Sequence, residues 1–390
     1  MEEVDIVKKL YQDPNLQIIF SVTLMAVLGV ASLAPAFPII AKELAVSKAS
    51  IGLLITVFTL PGVILTPVFG VMADRYGRKR ILVPSLMLFG IAGAACGFAR
   101  DFDLLLMFRF FQGVGAASLG SLNVTIIGDL YSGKERSAVM GYNASVLSLG
   151  TAIYPALGGA LAMLGWYYPF FLPVVAIPIG LVVLFSLNNP EPRNEQSLTT
   201  YLNSAWKSIR NRQVFGLFIA SIVTFIILYG SYLTFFSILI EDKFNVSPII
   251  IGLIMASMAL TTAITSSQLG KLVKILPEKT LMRVSFILYA LALVSIPDVS
   301  DLTTLLIPTM VFGIAHGINI PTIHSMLAGL APMEYRAAFM SVNGMVLRLG
   351  QTLGPLIMGA VFVFGGLDGV FYAGAGFAIG MVMVLMVLVK

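Results

Sequence analysis

Residues 136–160 read RSAVMGYNASVLSLGTAIYPALGGA, and residues 336–360 read RAAFMSVNGMVLRLGQTLGPLIMGA. The two stretches are identical at 11 of 25 positions, far more often than unrelated apolar sequences would agree. The same offset of 200 residues matches glycines elsewhere, pairing Gly52 with Gly252, Gly70 with Gly270 and Gly113 with Gly313. Self-similarity at one fixed offset indicates an internal duplication. We therefore expect two similar halves, each built from the same order of elements.

The composition is that of a membrane protein. Of the 390 residues, 58% are hydrophobic and 11% are charged, whereas about 25% are charged in typical soluble domains. This excludes a water-soluble enzyme, and the 26 Phe and 13 Tyr argue against a disordered chain. Cys96 is the only cysteine, so an internal disulfide and a cysteine-based metal cluster are excluded.

Twelve apolar runs are long enough to cross a bilayer, which requires about 20 residues of helix. They cover residues 16–41, 50–73, 81–99, 103–129, 137–164, 168–187, 214–240, 249–269, 281–297, 302–330, 337–364 and 367–389. The sequence therefore predicts an all-α membrane protein with twelve transmembrane helices.

Positive charges are distributed unevenly around these runs. Of the 24 lysines and arginines, 18 fall in segments on the side of the N-terminus. The opposite loops hold only Lys42, Lys48, Arg100 and Lys243. Since Lys and Arg are retained on the cytoplasmic side, we expect both termini in the cytoplasm and a multi-pass protein in the cell (inner) membrane. The net charge of +5 reflects this topology, and no nucleic-acid partner is predicted.

The longest polar stretch divides the runs six and six. We expect an N-terminal six-helix bundle over 1–187, a cytoplasmic linker over 188–213 and a C-terminal six-helix bundle over 214–390. Apolar residues at helical spacing in the linker predict a short amphipathic helix on the membrane surface. A plain flexible connection is the alternative.

Two motifs resemble those of a known family. Residues 70–80 read GVMADRYGRKR, which resembles the loop signature of the major facilitator superfamily, G-x-L-a-D-R-x-G-R-[KR], with Met72 in place of Leu. Leu105-x-x-x-Arg109-x-x-Gln112-Gly113 is similar to the superfamily's second signature. The resemblance implies two pseudo-symmetric six-helix bundles, the major facilitator fold, which carries substrate by alternating access at a site near the bilayer midplane.

A third motif lies within the repeated stretch. Gly141, Gly150, Pro155 and Gly158 resemble the antiporter motif of the 12-helix drug:proton exporters, whose usual Gly-Pro is Tyr-Pro here. The second half carries Gly350, Gly354 and Pro355 at related positions. Small residues let membrane helices approach closely, so these helices are expected to join the halves. Generic helix packing explains the glycines equally well, but it does not explain their repetition.

The loop signature also predicts a gate. Its members are Gly70, Asp74, Arg75, Gly77, Arg78, Lys79 and, from the end of the fourth run, Asp129. Arg78 can pair with Asp129, and Asp74 can cap the N-terminus of a neighbouring helix. Such a charge cluster, formed in one conformation and broken in another, biases a two-state element. Ordinary positive-inside charge is the alternative.

Two arginines lie inside the runs, where charge is rare and usually marks a pathway. Arg109 and Arg348 each have a glutamine three residues on, Gln112 and Gln351, on the same helix face. The family resemblance associates Arg109 with proton coupling, whereas a structural pairing with backbone carbonyls is the alternative for either arginine. His316 is a further candidate for proton coupling, because histidine titrates near physiological pH. A hydrogen-bonded structural histidine is the more common outcome.

All 19 acidic residues fall in termini, loops or helix ends. Exporters of cationic drugs commonly use a buried carboxylate, so the two arginines favour anionic, zwitterionic or neutral lipophilic substrates. Polar and aromatic residues within the runs are candidates for the cavity wall: Asn123, Asn143, Tyr229, Tyr232, Phe235, Phe236, Asn319 and Asn343. Packing against lipid or other helices is the alternative for each aromatic residue.

The sequence carries no phosphate-binding loop, catalytic triad or zinc-ligand cluster, so no enzyme, cofactor or metal is predicted. The predicted function is secondary active transport, with proton-coupled efflux of lipophilic small molecules by a monomer. The alternatives are a carrier of small organic anions that uses Arg348 as counter-charge, and an uncoupled lipid-moving or sensor protein.

Overall fold

The computed structural model describes residues 13–189, 211–330 and 336–389. All regular structure in these ranges is helical. In chain order, the membrane helices are α1 (Pro14–Glu43), α2 (Leu53–Tyr76), α3 (Arg78–Phe98), α4 (Phe102–Leu130), α5 (Gly133–Leu164), α6 (Tyr168–Ser186), α7 (Arg212–Phe244), α8 (Pro248–Ser267), α9 (Glu278–Ser295), α10 (Leu302–Leu330), α11 (336–365) and α12 (367–388). A short helix, Leu269–Ile275, follows α8.

The predicted all-α fold with twelve spans is confirmed. The last two helices form one stretch, Arg336–Leu388, interrupted where Gly366 adopts φ 63° and ψ −163°. Only glycine adopts such a backbone easily, so Gly366 turns the chain between α11 and α12. The predicted linker helix lies within residues 190–210, outside the described part of the chain, and the domain bounds at 187/188 and 213/214 stay a prediction.

Helix starts are fixed by short polar side chains. The Asp13 carboxylate accepts the Asn15 N–H at 2.9 Å before α1, and the Asp101 carboxylate accepts the Leu104 N–H at 2.8 Å before α4. Asn211 caps α7 in the same way. Each cap satisfies backbone donors that the first helical turn leaves free. The Tyr131 hydroxyl donates to Asp13, tying the start of α1 to the end of α4, and burial together with this bond raises the pKa of Tyr131.

The middle of α7 is wound more loosely than an α-helix. Residues Ile227–Phe236 form a π-helix, in which the Thr234 hydroxyl donates to the Tyr229 carbonyl at 2.6 Å. π-helical segments are rare and frequently lie at functional sites. No feature of the sequence indicates this π-helical segment, because its residues continue the apolar run without interruption.

Among the contacts that join the two halves, α1–α6 and α7–α12, two repeat each other. In the first, α5 packs on α8, and a Cβ atom added to Gly252 would lie 2.2 Å from the Pro155 carbonyl oxygen. In the second, α11 packs on α2, and a Cβ atom on Gly52 would lie 2.9 Å from Pro355 Cβ. Gly52 and Gly252 are 200 residues apart, as are Pro155 and Pro355, so the repeated sequence forms a repeated contact.

Both contacts lie toward one side of the membrane. We call the side where α1 begins and α12 ends the terminal side, and the opposite side the far side. Lys48 and Asp242 form an ion pair between the halves on the far side. Toward the terminal side, Cβ atoms on Gly141 and Gly344 would meet nothing within 4 Å. The halves are therefore in contact on the far side, and neither of these two terminal-side glycines takes part in such a contact.

Candidate functional site

A seam of threonine hydroxyls joins α2 to α11. The Thr56 hydroxyl donates to the Thr352 carbonyl at 3.2 Å, and the hydroxyls of Thr59 and Thr352 lie 2.9 Å apart. All three side chains are buried. Their repeat partners are Ala256, Ala259 and Ala152. The α2–α11 contact is therefore polar where its counterpart between α5 and α8 is apolar.

Arg348 lies at the open end of this seam, one helical turn from Thr352 toward the terminal side. A Cβ atom on Gly62 of α2 would lie 3.1 Å from Arg348 Cδ, so the side chain reaches across to the other half. Its guanidinium donates through Nη1 to Gln351 Oε1 at 3.2 Å. The residue is half-buried, and no carboxylate pairs with it in the part of the chain that the structure describes. Its repeat partner is Ser148.

Arg109 has very different surroundings. Its Nε donates to the Leu54 carbonyl at 3.0 Å, and its Nη1 donates to the Gly29 carbonyl at 3.0 Å and to Gln112 Oε1 at 2.7 Å. The guanidinium lies 4.2 Å from the ring centre of Phe58. The side chain is 1% exposed, so Arg109 is enclosed and holds α4 against α1 and α2. These bonds to backbone carbonyls match the structural pairing that is the alternative to a direct functional role for Arg109.

The gating residues form a charge cluster within the N-terminal half. Arg78 Nη1 lies 2.5 Å from Asp74 Oδ1, and Arg78 Nε lies 3.1 Å from Asp129 Oδ2. The expected Arg78–Asp129 pair is present, and it links the start of α3 to the end of α4. Asp74 differs from expectation, because its carboxylate accepts no backbone N–H among the described residues. The nearby Arg78 guanidinium satisfies the Asp74 carboxylate, so this carboxylate does not cap a helix N-terminus.

The other members of the motif have distinct environments. Gly77 has φ 102°, a conformation that glycine adopts readily, at the turn between α2 and α3. Lys79 donates to the Leu184 carbonyl of α6 at 3.2 Å. Arg75 is exposed, and a Cβ atom on Gly70 would meet nothing within 4 Å. The motif thus lies on the terminal side, where the halves are apart.

The four candidate asparagines join helices within each half. In the first half, Asn123 donates to the Thr23 hydroxyl, which in turn donates to Asn143 Oδ1, so α4, α1 and α5 are linked. The second half repeats the arrangement. Asn319 accepts from Thr224 at 2.8 Å and donates to Ser285 at 2.9 Å, while Asn343 accepts from Ser221 at 3.4 Å. These amides are engaged in interhelical bonds in this structure, and their assignment to the cavity wall stays a prediction.

Three of the four candidate aromatic residues are also core residues. The Tyr232 ring stacks on Phe236 and on Phe312, each with ring centres 4.8 Å apart. Phe235 stacks on Phe362 at 5.3 Å. All three are at most 1% exposed, so in this structure they lie in the core of the second half and not on a cavity wall. Tyr229 is half-buried.

His316 is hydrogen-bonded inside the second half. Its Nδ1 lies 2.6 Å from the Tyr289 hydroxyl, which links α10 to α9. The imidazole is half-buried, and two rings of the aromatic core, Tyr289 and Phe312, pack edge to face beside it. The geometry fits a structural histidine as well as a proton carrier.

Sequence reasoning missed the threonine seam and the Lys48–Asp242 pair. The seam could have been found, since an alignment of the two halves sets three threonines against three alanines. The Lys48–Asp242 pair could not have been found, because the repeat does not indicate which residue a loop lysine contacts.

A duplicated bundle of membrane helices whose halves meet through repeat-related contacts is typical of multi-pass membrane transport proteins. The family model described as Major Facilitator Superfamily matches residues 19–242 and 220–390. The chain belongs to the major facilitator superfamily.

Curated relatives cover most of the chain. Multidrug resistance protein 2 of Bacillus subtilis (strain 168) is 28% identical over 353 residues, covering 88% of each chain. The bacillibactin exporter of the same strain is 28% identical over 362 residues, covering 89% of each chain. Among solved structures, the nucleoside transporter NupG superposes with a TM-score of 0.82 at 14% identity, covering 97% of this chain and 100% of that one. The last similarity is one of fold.

Proposed function

We propose that this protein exports lipophilic small molecules across the cell (inner) membrane by alternating access, coupled to protons and acting as a monomer. Both termini lie in the cytoplasm in this proposal, so the terminal side is the inner side. The structure then corresponds to the inward-open state, in which substrate enters from the cytoplasm or the inner leaflet.

The observation that carries the proposal is the pair of contacts at Gly52–Pro355 and Gly252–Pro155. Because the contacts are related by the internal repeat, rocking one half against the other can release both together. The same motion would bring the terminal-side ends of the halves together, near Asp74, Arg78 and Asp129. Packed interfaces tend to have discrete arrangements rather than deform continuously. Two states, one open on each side, follow from this design.

Two curated relatives bear names that refer to drug resistance and to export. Their similarity over most of the chain supports small-molecule efflux here. A lipid-moving protein or a sensor would also be compatible with the fold. The charge cluster at the proposed gate favours a transport cycle, because a sensor has no need of a gate on the entry side.

We assign the proton step to His316, with Tyr289 as its hydrogen-bond partner. Arg109 and Gln112 then act indirectly, by positioning α1, α2 and α4. Histidine is suited to this role because it exchanges protons near neutral pH.

The test uses purified protein in liposomes that contain a pH-sensitive dye, under an imposed pH gradient. Lipophilic cations, anions and neutral compounds are added in turn, and a substrate should cause proton flux that empty liposomes lack. His316→Asn should retain substrate binding but lose the proton flux. Flux that is independent of the pH gradient would reject proton coupling, and no substrate movement at all would reject the transporter assignment.

A further inference from the structure

We propose that Arg348 and Gln351 bind the acidic group of the substrate, so that the preferred substrates are aromatic or lipophilic monoanions, with a carboxylate as the acidic group. This inference rests on the proposed function and specifies the substrate class of the same site. It differs from efflux of cations, for which the interior would need a carboxylate.

The charge of Arg348 is not balanced by any carboxylate among the described residues. Arg348 is half-buried between the halves, and its only hydrogen bond from the guanidinium, within the described ranges, goes to the neutral Gln351. A guanidinium presents five N–H donors in a planar fork that matches a carboxylate. One uncompensated cation is balanced by one negative charge. The site therefore selects a monoanion over a dianion or a cation.

Arg109 has surroundings that differ from those of Arg348. Three acceptors and an aromatic ring enclose the Arg109 guanidinium. Two backbone carbonyls and the Gln112 amide oxygen thus accept three hydrogen bonds from Arg109. In the part of the chain that the structure describes, Arg348 makes one hydrogen bond from its guanidinium, and its other N–H donors are available to a ligand. A purely structural arginine at this position would be expected to reach carbonyl groups in the same way.

The position of the Arg348 charge also favours the binding of a substrate. Arg348 lies between the halves at the terminal-side end of the α2–α11 seam, next to Gly62. A bound acid would therefore contact both halves. Phe225 of α7 packs on α11 two residues from Arg348, since a Cβ atom on Gly350 would lie 2.8 Å from Phe225 Cβ. The Phe225 ring pairs with the Tyr229 ring at 5.8 Å between ring centres. These two rings provide an apolar and aromatic surface for the body of the substrate.

The internal repeat does not require an arginine at this position. The position equivalent to Arg348 in the first half is Ser148, whose hydroxyl donates to the Ala144 carbonyl at 3.0 Å. The two halves are thus similar in their contacts but differ in charge at this depth. The acidic group would bind to the second half, on α11.

The test measures binding of three matched probes to the purified protein: 2-naphthylacetate, 2-naphthylacetamide and 2-(2-naphthyl)ethylamine. They share the aromatic body and differ in charge. Hydrogen bonds to a charged group predict that the carboxylate binds about 10- to 100-fold more tightly than the amide. Arg348→Gln should abolish this preference, and Arg348→Lys should retain part of it, because lysine lacks the planar fork. Ser148→Gln is the control at the repeat-related position and should leave the preference unchanged.

Thermal unfolding of each variant checks that it is folded. The inference is overturned if the amide or the amine binds as tightly as the carboxylate, if no probe binds, or if folded Arg348→Gln retains the preference. Liposome flux separates this result from the proposed function. Proton flux driven equally by neutral or cationic probes would keep the exporter and reject the anion site. Anion binding without flux would keep the site and reject the exporter.

Discussion

At the scale of single residues, the two arginines inside membrane helices, Arg109 and Arg348, serve different purposes. Arg109 is bonded to the carbonyls of Leu54 and Gly29, whereas Arg348 has one neutral partner. The cost of burying a guanidinium falls when its donors are satisfied. Arg109 therefore contributes to the stability of the bundle, while Arg348 remains available to a ligand.

Arg109→Ala should destabilise the protein strongly, because it removes the side chain that ties α4 to α1 and α2. Hydrogen bonds to a charged group contribute about 1.5–3 kcal/mol each, so the melting temperature in detergent should fall by several degrees. Intrinsic fluorescence on heating measures this. Arg348→Gln is the comparison and should melt close to the native protein. Equal losses in both variants would contradict the distinction.

Asp74→Asn should slow transport without weakening substrate binding. The substitution removes one of two carboxylates that face Arg78, and the proposed gate acts on the conformational step alone. Initial flux into liposomes and equilibrium binding, measured on the same preparation, check this. Lys271→Gln, an exposed change near the end of α8, is the control. Flux at the native rate in Asp74→Asn would remove the gating role.

At the scale of helices, the far-side closure depends on glycine at particular positions. A methyl group on Gly252 would lie 2.2 Å from the Pro155 carbonyl oxygen, which belongs to the backbone and cannot rotate away. Overpacking of this kind costs about 1–3 kcal/mol. The strain acts on the state in which α5 and α8 are in contact.

Gly252→Ala should therefore shift the protein toward the state that is open on the far side. Thr352→Cys provides a reporter, since Thr352 is buried in the seam and the native Cys96 is also buried. A membrane-impermeant maleimide added on the far side should label Cys at position 352 faster when Gly252→Ala is present. Gly270→Ala, where the added methyl meets nothing within 4 Å, should leave the labelling rate unchanged. Equal rates in all three proteins would contradict the closure.

The helices themselves could be predicted from the sequence, and their interior could be predicted only in part. Apolar runs predict the spans, and the repeat relates the Gly52–Pro355 contact to the Gly252–Pro155 contact once one of them is known. Tyr232, Phe235 and Phe236 were chosen by residue type alone, which does not distinguish a cavity wall from a packed core, and in this structure their rings pack within the second half. The asparagines present the same difficulty. A polar side chain in a membrane helix can bind a ligand or form a hydrogen bond to another helix, and the sequence does not show which of the two it does.

At the scale of the whole molecule, the two halves meet through contacts of unequal character. The α2–α11 seam is polar, the α5–α8 contact is apolar, and an exposed ion pair, Lys48–Asp242, joins the halves at the far-side surface. An exposed pair contributes about 0.2–1 kcal/mol and is weakened by salt. The ion pair therefore adjusts the balance between states, whereas the glycine contacts determine it.

Lys48→Glu should favour opening on the far side by a small amount, because it sets like charges against Asp242. Spin labels on the two far-side surfaces would report a larger share of long distances at low salt, and less of a change at high salt. The charge-reversed double variant, Lys48→Glu with Asp242→Lys, should recover the native distance distribution. An identical distribution in all three proteins would mean that the pair has no influence on the equilibrium.

The central claim is that transport requires the halves to separate on the far side. A short cleavable cross-linker between cysteines at positions 48 and 242 tests it, since the buried Cys96 does not compete. Cross-linked protein in liposomes should bind substrate from the terminal side but transport none, and cleavage of the linker should restore flux. Undiminished flux through the cross-linked protein would contradict the account.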